Sequence, residues 1–280
     1  MLKKSFKSLI LNLSWLLLGR KNLLRLARFL YDGVCLDINN NIKANGEMMV
    51  QSCILAHCSN NICVFDVGAN IGEWTRTLCE QNKNSQSVLT IHAFEPARNT
   101  YQTLKENINK WAPDCQLVIQ NTALSSTKDQ RFFYSIEGNV GVNGFYPIDD
   151  SGAQVVQEVA IDTIDNYCED NNISHIDFIK IDTEGHDLEV LLGAENILSS
   201  CSVDFVQFEY NNKWIDARNY LRDAFDYLLP KGFVLGKITP KGIEFYPKWD
   251  YELESFKEAN YIAMKSSSKD LFPQIKWWKS

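Results

Sequence analysis

The chain has no C-x-x-C pair among its eight cysteines. Its four histidines supply no pair to complete a zinc set with the evenly spaced Cys53, Cys58 and Cys63. A structural zinc module is therefore excluded, and the cysteines are expected to be reduced, as in a cytoplasmic protein. Cys63 and Cys115 sit in or beside apolar strand patterns, where a thiol packs as a small hydrophobe. No apolar stretch approaches the roughly 20 residues needed to cross a bilayer. Acidic residues are missing from residues 1–30, which carry seven Lys and Arg. The other 250 residues hold 21 basic against 35 acidic side chains, a net charge of −14. So acidic a body argues against nucleic acid as a partner. Neither an internal repeat nor a G-x-G-x-x-G dinucleotide fingerprint occurs.

What is present points to a globular enzyme-sized domain. The 280 residues are 45% hydrophobic and 12% aromatic, enough for a large α/β core plus an appendage. At the N-terminus, Lys3, Lys4 and Lys7 precede the apolar stretch Leu9–Leu18, but Gly19-Arg20-Lys21 follows instead of a signal-peptidase site. Leu23, Leu24, Leu26, Ala27 and Leu30 then recur at helical spacing with Arg25 and Arg28 between them. Two readings stay open: a helical cap packed on the domain, or a basic helix lying on an anionic membrane surface. The polar, Asn-rich stretch Asp37–Gly46 closes this part. The expected division is a helical extension over 1–60, a domain over 61–265 and a loosely packed tail over 266–280.

From Ile62 the pattern alternates strand and helix. Strands are expected at 62–67, 88–94 and 116–120, with helices at 72–81 and 98–110. Further strands at 130–135 and 155–161 flank a Gly- and Asn-rich loop, Gly138–Gly144. Beyond it come a strand at 175–181, a strand at 203–208, a helix over 216–229 and closing strands at 233–235 and 261–264. Repeated βα units predict a doubly wound, mostly parallel sheet with ligands at the carboxyl ends of its strands.

Three clusters fall at that edge. Phe65-Asp66-Val67-Gly68-Ala69-Asn70-Ile71-Gly72 is a buried strand breaking into a glycine turn. Its G-x-N-x-G spacing after an acid favours an adenosyl cofactor over a dinucleotide, with backbone N–H groups turned to the ligand. The second strand ends in Glu95-Pro96, 29 residues after Asp66, where an acid accepts hydrogen bonds from ribose hydroxyls. The third, Lys180-Ile181-Asp182-Thr183-Glu184-Gly185-His186-Asp187, crowds ionisable groups where a strand opens into a loop, and Glu209 closes the next strand.

With Asn121-Thr122-Ala123-Leu124-Ser125 included, these motifs occur in the order seen in the FkbM family of S-adenosylmethionine-dependent methyltransferases. The chain resembles that family over residues 62–236, with Asp187 where the family commonly has Glu. The resemblance implies a class I methyltransferase fold, Rossmann-like, that methylates an oxygen of a small molecule or glycan. It places Asp66, Gly68, Asn70 and Gly72 around the methionine part of S-adenosyl-L-methionine, and Glu95 on the ribose. Asn121, Thr122 and Ala123 would lie beside the adenine, and Asp182 near the methionine amino group or the acceptor. An alcohol acceptor must lose a proton. His186 has the best unperturbed pKa for that task, and Asp182, Glu184 or Glu209 could instead accept the proton or bind a divalent metal ion. The acceptor pocket is expected in loops Gly138–Asp150 and 211–217.

Two other classes compete. A nicotinamide-dependent oxidoreductase would need the absent dinucleotide fingerprint and a placed Tyr-x-x-x-Lys; Tyr101 and Lys105 have that spacing on the wrong helix. A non-catalytic, membrane-associated nucleotide-binding module would draw its support from the basic N-terminus.

Overall fold

Apolar runs that alternate with amphipathic stretches have one economical burial: strands side by side with helices laid over both faces. The computed structural model, which describes residues 2–36, 41–58, 60–111, 113–136, 139–146 and 154–279, has this arrangement. Residues 1–40 and 41–280 form two compact units. The first is the helix α1 (Leu2–Cys35), interrupted at Gly19, whose φ of 70° and ψ of 159° are not helical.

The second unit opens with α2 (Glu47–His57), whose Val50 and Ile54 are fully buried in the core. The domain thus begins near residue 41, not 61, because the apolar face of α2 packs into the core. Strands β1 (Asn61–Val67), β2 (Val88–Phe94) and β3 (Gln116–Gln120) follow, separated by helices α3 (Glu73–Asn82) and α4 (Arg98–Trp111). A smaller set comes next: β4 (Ala123–Leu124), β5 (Asp129–Ile136), β6 (Asn139–Gly144) and β7 (Gln154–Asp162). After α5 (Ile164–Asp170) the chain returns as β8 (Ile176–Ile181), α6 (Asp187–Leu192), α7 (Glu195–Ser199) and β9 (Val203–Tyr210). Helices α8 (Trp214–Ala217) and α9 (Leu221–Leu228) precede β10 (Phe233–Thr239), β11 (Gly242–Tyr246), β12 (Ala259–Lys265) and β13 (Gln274–Ile275).

The main sheet runs β13-β11-β10-β12-β9-β8-β1-β2-β3. From β3 to β9 all neighbours are parallel; β12 then enters antiparallel between β9 and β10. The Phe65–Phe94–Tyr167 aromatic group packs one face, and Trp74 against Phe178 packs the other. β4, β7, β5 and β6 form a separate sheet around Ala97, Phe133, Val159 and Ile161.

Four expectations need correction. Part of the Gly138–Gly144 loop is strand β6, paired antiparallel with β5; Gly138 lies outside the described residues. The helix expected over 216–229 is two helices, because Arg218 takes φ 60° and Tyr220 restarts the turn with its N–H on Asp223. The C-terminal tail is not loose: β13 extends the sheet, and Trp277, 8% exposed, meets Tyr246 edge-on. Cys79 and Cys115 are joined in a disulfide. Cys79 of α3 and Cys115, just before β3, have their Cα atoms 6.2 Å apart, a pairing that no local spacing announces.

Candidate functional site

The carboxyl ends of β1, β2, β8 and β9 converge on one edge, and the turn after β1 shows how it is built. Gly68 and Gly72 have φ of 80° and 89°, and Asn70 sits between them at 49°. At Gly68 a Cβ would fall 1.9 Å from the Asp182 carbonyl oxygen, so the glycine lets β8 approach; at Gly72 it would meet Leu104 and Trp111. Four of the five backbone N–H groups from Gly68 to Gly72 are used within the protein and not turned to a ligand as the spacing suggested. Those of Gly68 and Ala69 bond Phe94 O, that of Gly72 bonds Ala69 O, and that of Asn70 donates to Glu95 Oε2 at 3.0 Å. What the turn offers instead is a side chain: Asn70 Oδ1 is buried without a partner.

Glu95 is 5% exposed and accepts a second backbone N–H, from Ala97, on Oε1. Burial pushes its carboxyl up to about 7, against the pull of those two N–H groups. A carboxylate has about four acceptor sites and only two are used, so it can still accept hydroxyls. Asn121 braces the same turn, its amide donating to the carbonyls of Glu95 and Pro96 at 2.9 Å each. Thr122 is half-buried beside it, and Ala123, in β4, packs with Ala97 in the core of the small sheet.

Asp66 is fully buried and spoken for. Thr75 Oγ1 donates to its Oδ2 at 2.6 Å, and Lys180 Nζ lies 3.4 Å from its Oδ1. It therefore holds Lys180, and beyond that ion pair its Oδ1 has no hydrogen-bond partner. Lys180 also reaches Asp182 at 3.2 Å and lies over the Trp74 ring. Burial pulls its ammonium down, but Asp182, Asp66 and Glu47 together raise it, so it stays charged. Glu47, on α2, is held by amides of Asn45 and Gln207 at 2.6 Å each. Sequence reasoning assigned no role to Lys180, Glu47 or Gln207. The usable signal was a polar residue inside an apolar strand, Ile179-Lys180-Ile181 and Val206-Gln207-Phe208.

The loop after β8 carries the acids. Glu184 has φ 54°, a left-handed conformation uncommon for an L residue, and burial with the nearby Asp182 and Asp187 pushes it up to about 8. Gly185 follows at φ 92° against the Lys213 backbone. Asp187, fully buried, accepts the N–H groups of Gly185 and Glu209, and burial raises it to about 7. Glu209 is raised by burial first and by Asp182 and Asp187 next.

His186 is not placed for proton transfer. It is 1% exposed, its Nε2 pairs with Ser125 Oγ at 2.9 Å, and the Phe145 ring packs tilted against it at 4.4 Å. Burial, then Arg131, lowers it to about 3, so it stays neutral and ties β4 to α6. Nor do Asp182, Glu184 and Glu209 fit a divalent ion: Asp182 turns to Lys180, and Glu209 accepts from the Asn211 amide. Among the described residues, the one group with three ligand atoms within 4.8 Å is His175, Asp177 and Asp204, at the other end of the strands. Of the two expected acceptor loops, 147–150 lie outside the described residues, and Trp214, within 211–217, is a core residue donating to Glu209 O.

Known proteins are similar to this chain. A 164-residue stretch is 30% identical to the hexuronic acid methyltransferase AglP of Haloferax volcanii, covering 59% of this chain and 62% of that protein. The crystal structure of a methyltransferase FkbM from Methylobacillus flagellatus is 17% identical, with a TM-score of 0.48 over 74% of this chain and 45% of that one. A precorrin-6y C5,15-methyltransferase from Geobacter metallireducens is 11% identical, with a TM-score of 0.41 over 78% of this chain and 87% of that one. The chain thus spans less than two thirds of the first two relatives. The model of the methyltransferase FkbM domain matches residues 66–235, more than half of the chain. The chain belongs to the FkbM methyltransferase family.

Proposed function

We propose that this methyltransferase uses S-adenosyl-L-methionine to methylate a hydroxyl oxygen of a small molecule or glycan, with Glu184 as the proton acceptor. The observation that carries the proposal is Glu184 itself: a strained, largely buried carboxyl at the sheet edge, pushed up to about 8. A base whose pKa lies near the working pH combines an adequate basic fraction with adequate strength.

The donor would be held by Glu95 through its free acceptor sites and by the unpartnered Oδ1 of Asn70, with Asn121 fixing the Glu95-Pro96 turn. Bound there, S-adenosylmethionine supplies an electrophilic methyl group on a sulfonium. Asp182, anchored by Lys180, sets a negative wall beside it. Glu184 takes the hydroxyl proton, and burial with Asp182 and Asp187 keeps that carboxyl from ionising too early.

A hexuronic acid, the class in the name of the Haloferax relative, offers both hydroxyl and carboxylate oxygens. Four acids at this edge disfavour a carboxylate nucleophile, which would need a cation and no base. Incubation with methyl-labelled S-adenosylmethionine and a panel of hexuronosides and neutral glycosides tests the reading. Label stable to mild alkali, as an ether is, and lost in Glu184→Gln would support it. Alkali-labile ester label that Glu184→Gln retains would overturn it.

A further inference from the structure

The N-terminal helix has a surface that the methyltransferase reaction does not use. Among the described residues 24 large apolar side chains are exposed, and 14 of them lie in α1, an element of 34 residues. Leu16 and Leu17 are 84% and 79% exposed, and Phe29 and Val34 are 74% and 80% exposed. Leu9, Ile10, Leu11, Leu13 and Leu18 add to the first group. So much apolar surface on one element marks an interaction site, whereas the remaining ten are spread over the rest of the described chain.

Charge selects the partner. Lys3, Lys4 and Lys7 precede the apolar stretch, Arg20, Lys21, Arg25 and Arg28 follow it, and the first acid is Asp32. A second copy of the helix would bring seven cations against seven with no acid to answer them before Asp32. An anionic lipid surface answers all of them, and its interface also takes Trp15, 56% exposed, at the depth tryptophan prefers.

Length decides the mode. Leu9–Leu18 spans about 15 Å as a helix, half of a bilayer's hydrocarbon. Among the described residues no helix is long and apolar enough to cross a membrane. Gly19 breaks the helix between the apolar stretch and the basic, amphipathic one, so each can take its own tilt. We infer that α1 is a monotopic anchor: residues 9–18 sink into the outer part of an anionic bilayer while Lys7, Arg20, Lys21, Arg25 and Arg28 lie among its phosphates. Residues 41–280, with 21 basic and 33 acidic side chains and a net charge of −12, are repelled by the same surface, so α1 supplies the attraction.

Co-sedimentation of the full chain with vesicles of phosphatidylcholine, with and without phosphatidylglycerol, tests this. The chain is expected to pellet with the anionic vesicles and to bind pure phosphatidylcholine about tenfold more weakly or less. Leu16→Glu with Leu17→Glu should abolish pelleting, and Arg25→Glu with Arg28→Glu should weaken it, each with an unchanged circular dichroism spectrum of the body. A folded wild-type chain that stays in the supernatant would overturn the inference. So would equal pelleting of the leucine variant, or a dimer in gel filtration with light scattering that those same leucines hold together.

Discussion

Strands β8 and β9 carry the same residue types at both ends and put them to different uses. At the amino ends, His175 lies 3.2 Å from Asp204 and 3.8 Å from Asp177, with His175 46% and Asp204 39% exposed at the side chain. At the carboxyl ends, Lys180 and Asp66 are 5% and 0% exposed, and Glu184, Asp187 and Glu209 are all raised by burial. Composition does not separate the two edges; desolvation does. An exposed ion pair is worth little, whereas a buried carboxyl without a counter-charge holds its proton into the neutral range and can exchange it there.

Removing the buried cation should break the carboxyl edge outright. Lys180→Met leaves Asp66 unpaired in the core and should cost about 3–5 kcal/mol, read as a lower urea midpoint at unchanged slope. Adding Asp66→Asn should recover part of the loss. Glu184→Gln should lower methyl transfer about 10²–10³-fold while donor affinity holds within about twofold. In the wild type, activity should climb as pH rises through about 8, where Glu184 loses its proton.

Stability should move the opposite way. Glu95, Asp187 and Glu184 bind protons more tightly folded than unfolded, so between about pH 4.5 and 8 the native state holds the extra protons. Unfolding free energy should fall as pH rises through that window, by up to about 1.4 kcal/mol per unit for each carboxyl. Thermal midpoints at pH 5.5 and 8 check the sign. At the amino edge, His175→Ala or Asp204→Asn should change stability by less than about 1 kcal/mol and leave transfer alone. A large loss there would erase the contrast.

Much of this frame was legible because it rests on local pattern. The apolar run Ile62–Val67, the turn from Gly68 to Gly72 and the Glu95-Pro96 strand end each carry their periodicity or φ requirement in adjacent residues. The partners of those residues were not legible. Asp66 meets Lys180 only because β1 and β8 pair in register, Asp66 opposite Lys180. His186 has the composition of a base, but Ser125 and Phe145, brought in by a separate sheet, bury it. The same limit hid the Cys79–Cys115 disulfide and the contribution of α2 through Glu47. Residue type and spacing reach as far as one element; burial is a property of the assembled layers.

The central claim is that the Glu95 turn is a donor site, and calorimetric titration with S-adenosylhomocysteine tests it most directly. Wild-type protein should bind one equivalent, with affinity weakening as pH drops below about 7 and Glu95 gains its proton. Glu95→Ala, folded by circular dichroism, should bind about a hundredfold more weakly, the loss of two charge-assisted hydrogen bonds. A folded wild type that gives no heat with S-adenosylhomocysteine, or a Glu95→Ala variant that binds as tightly as the parent, would contradict it.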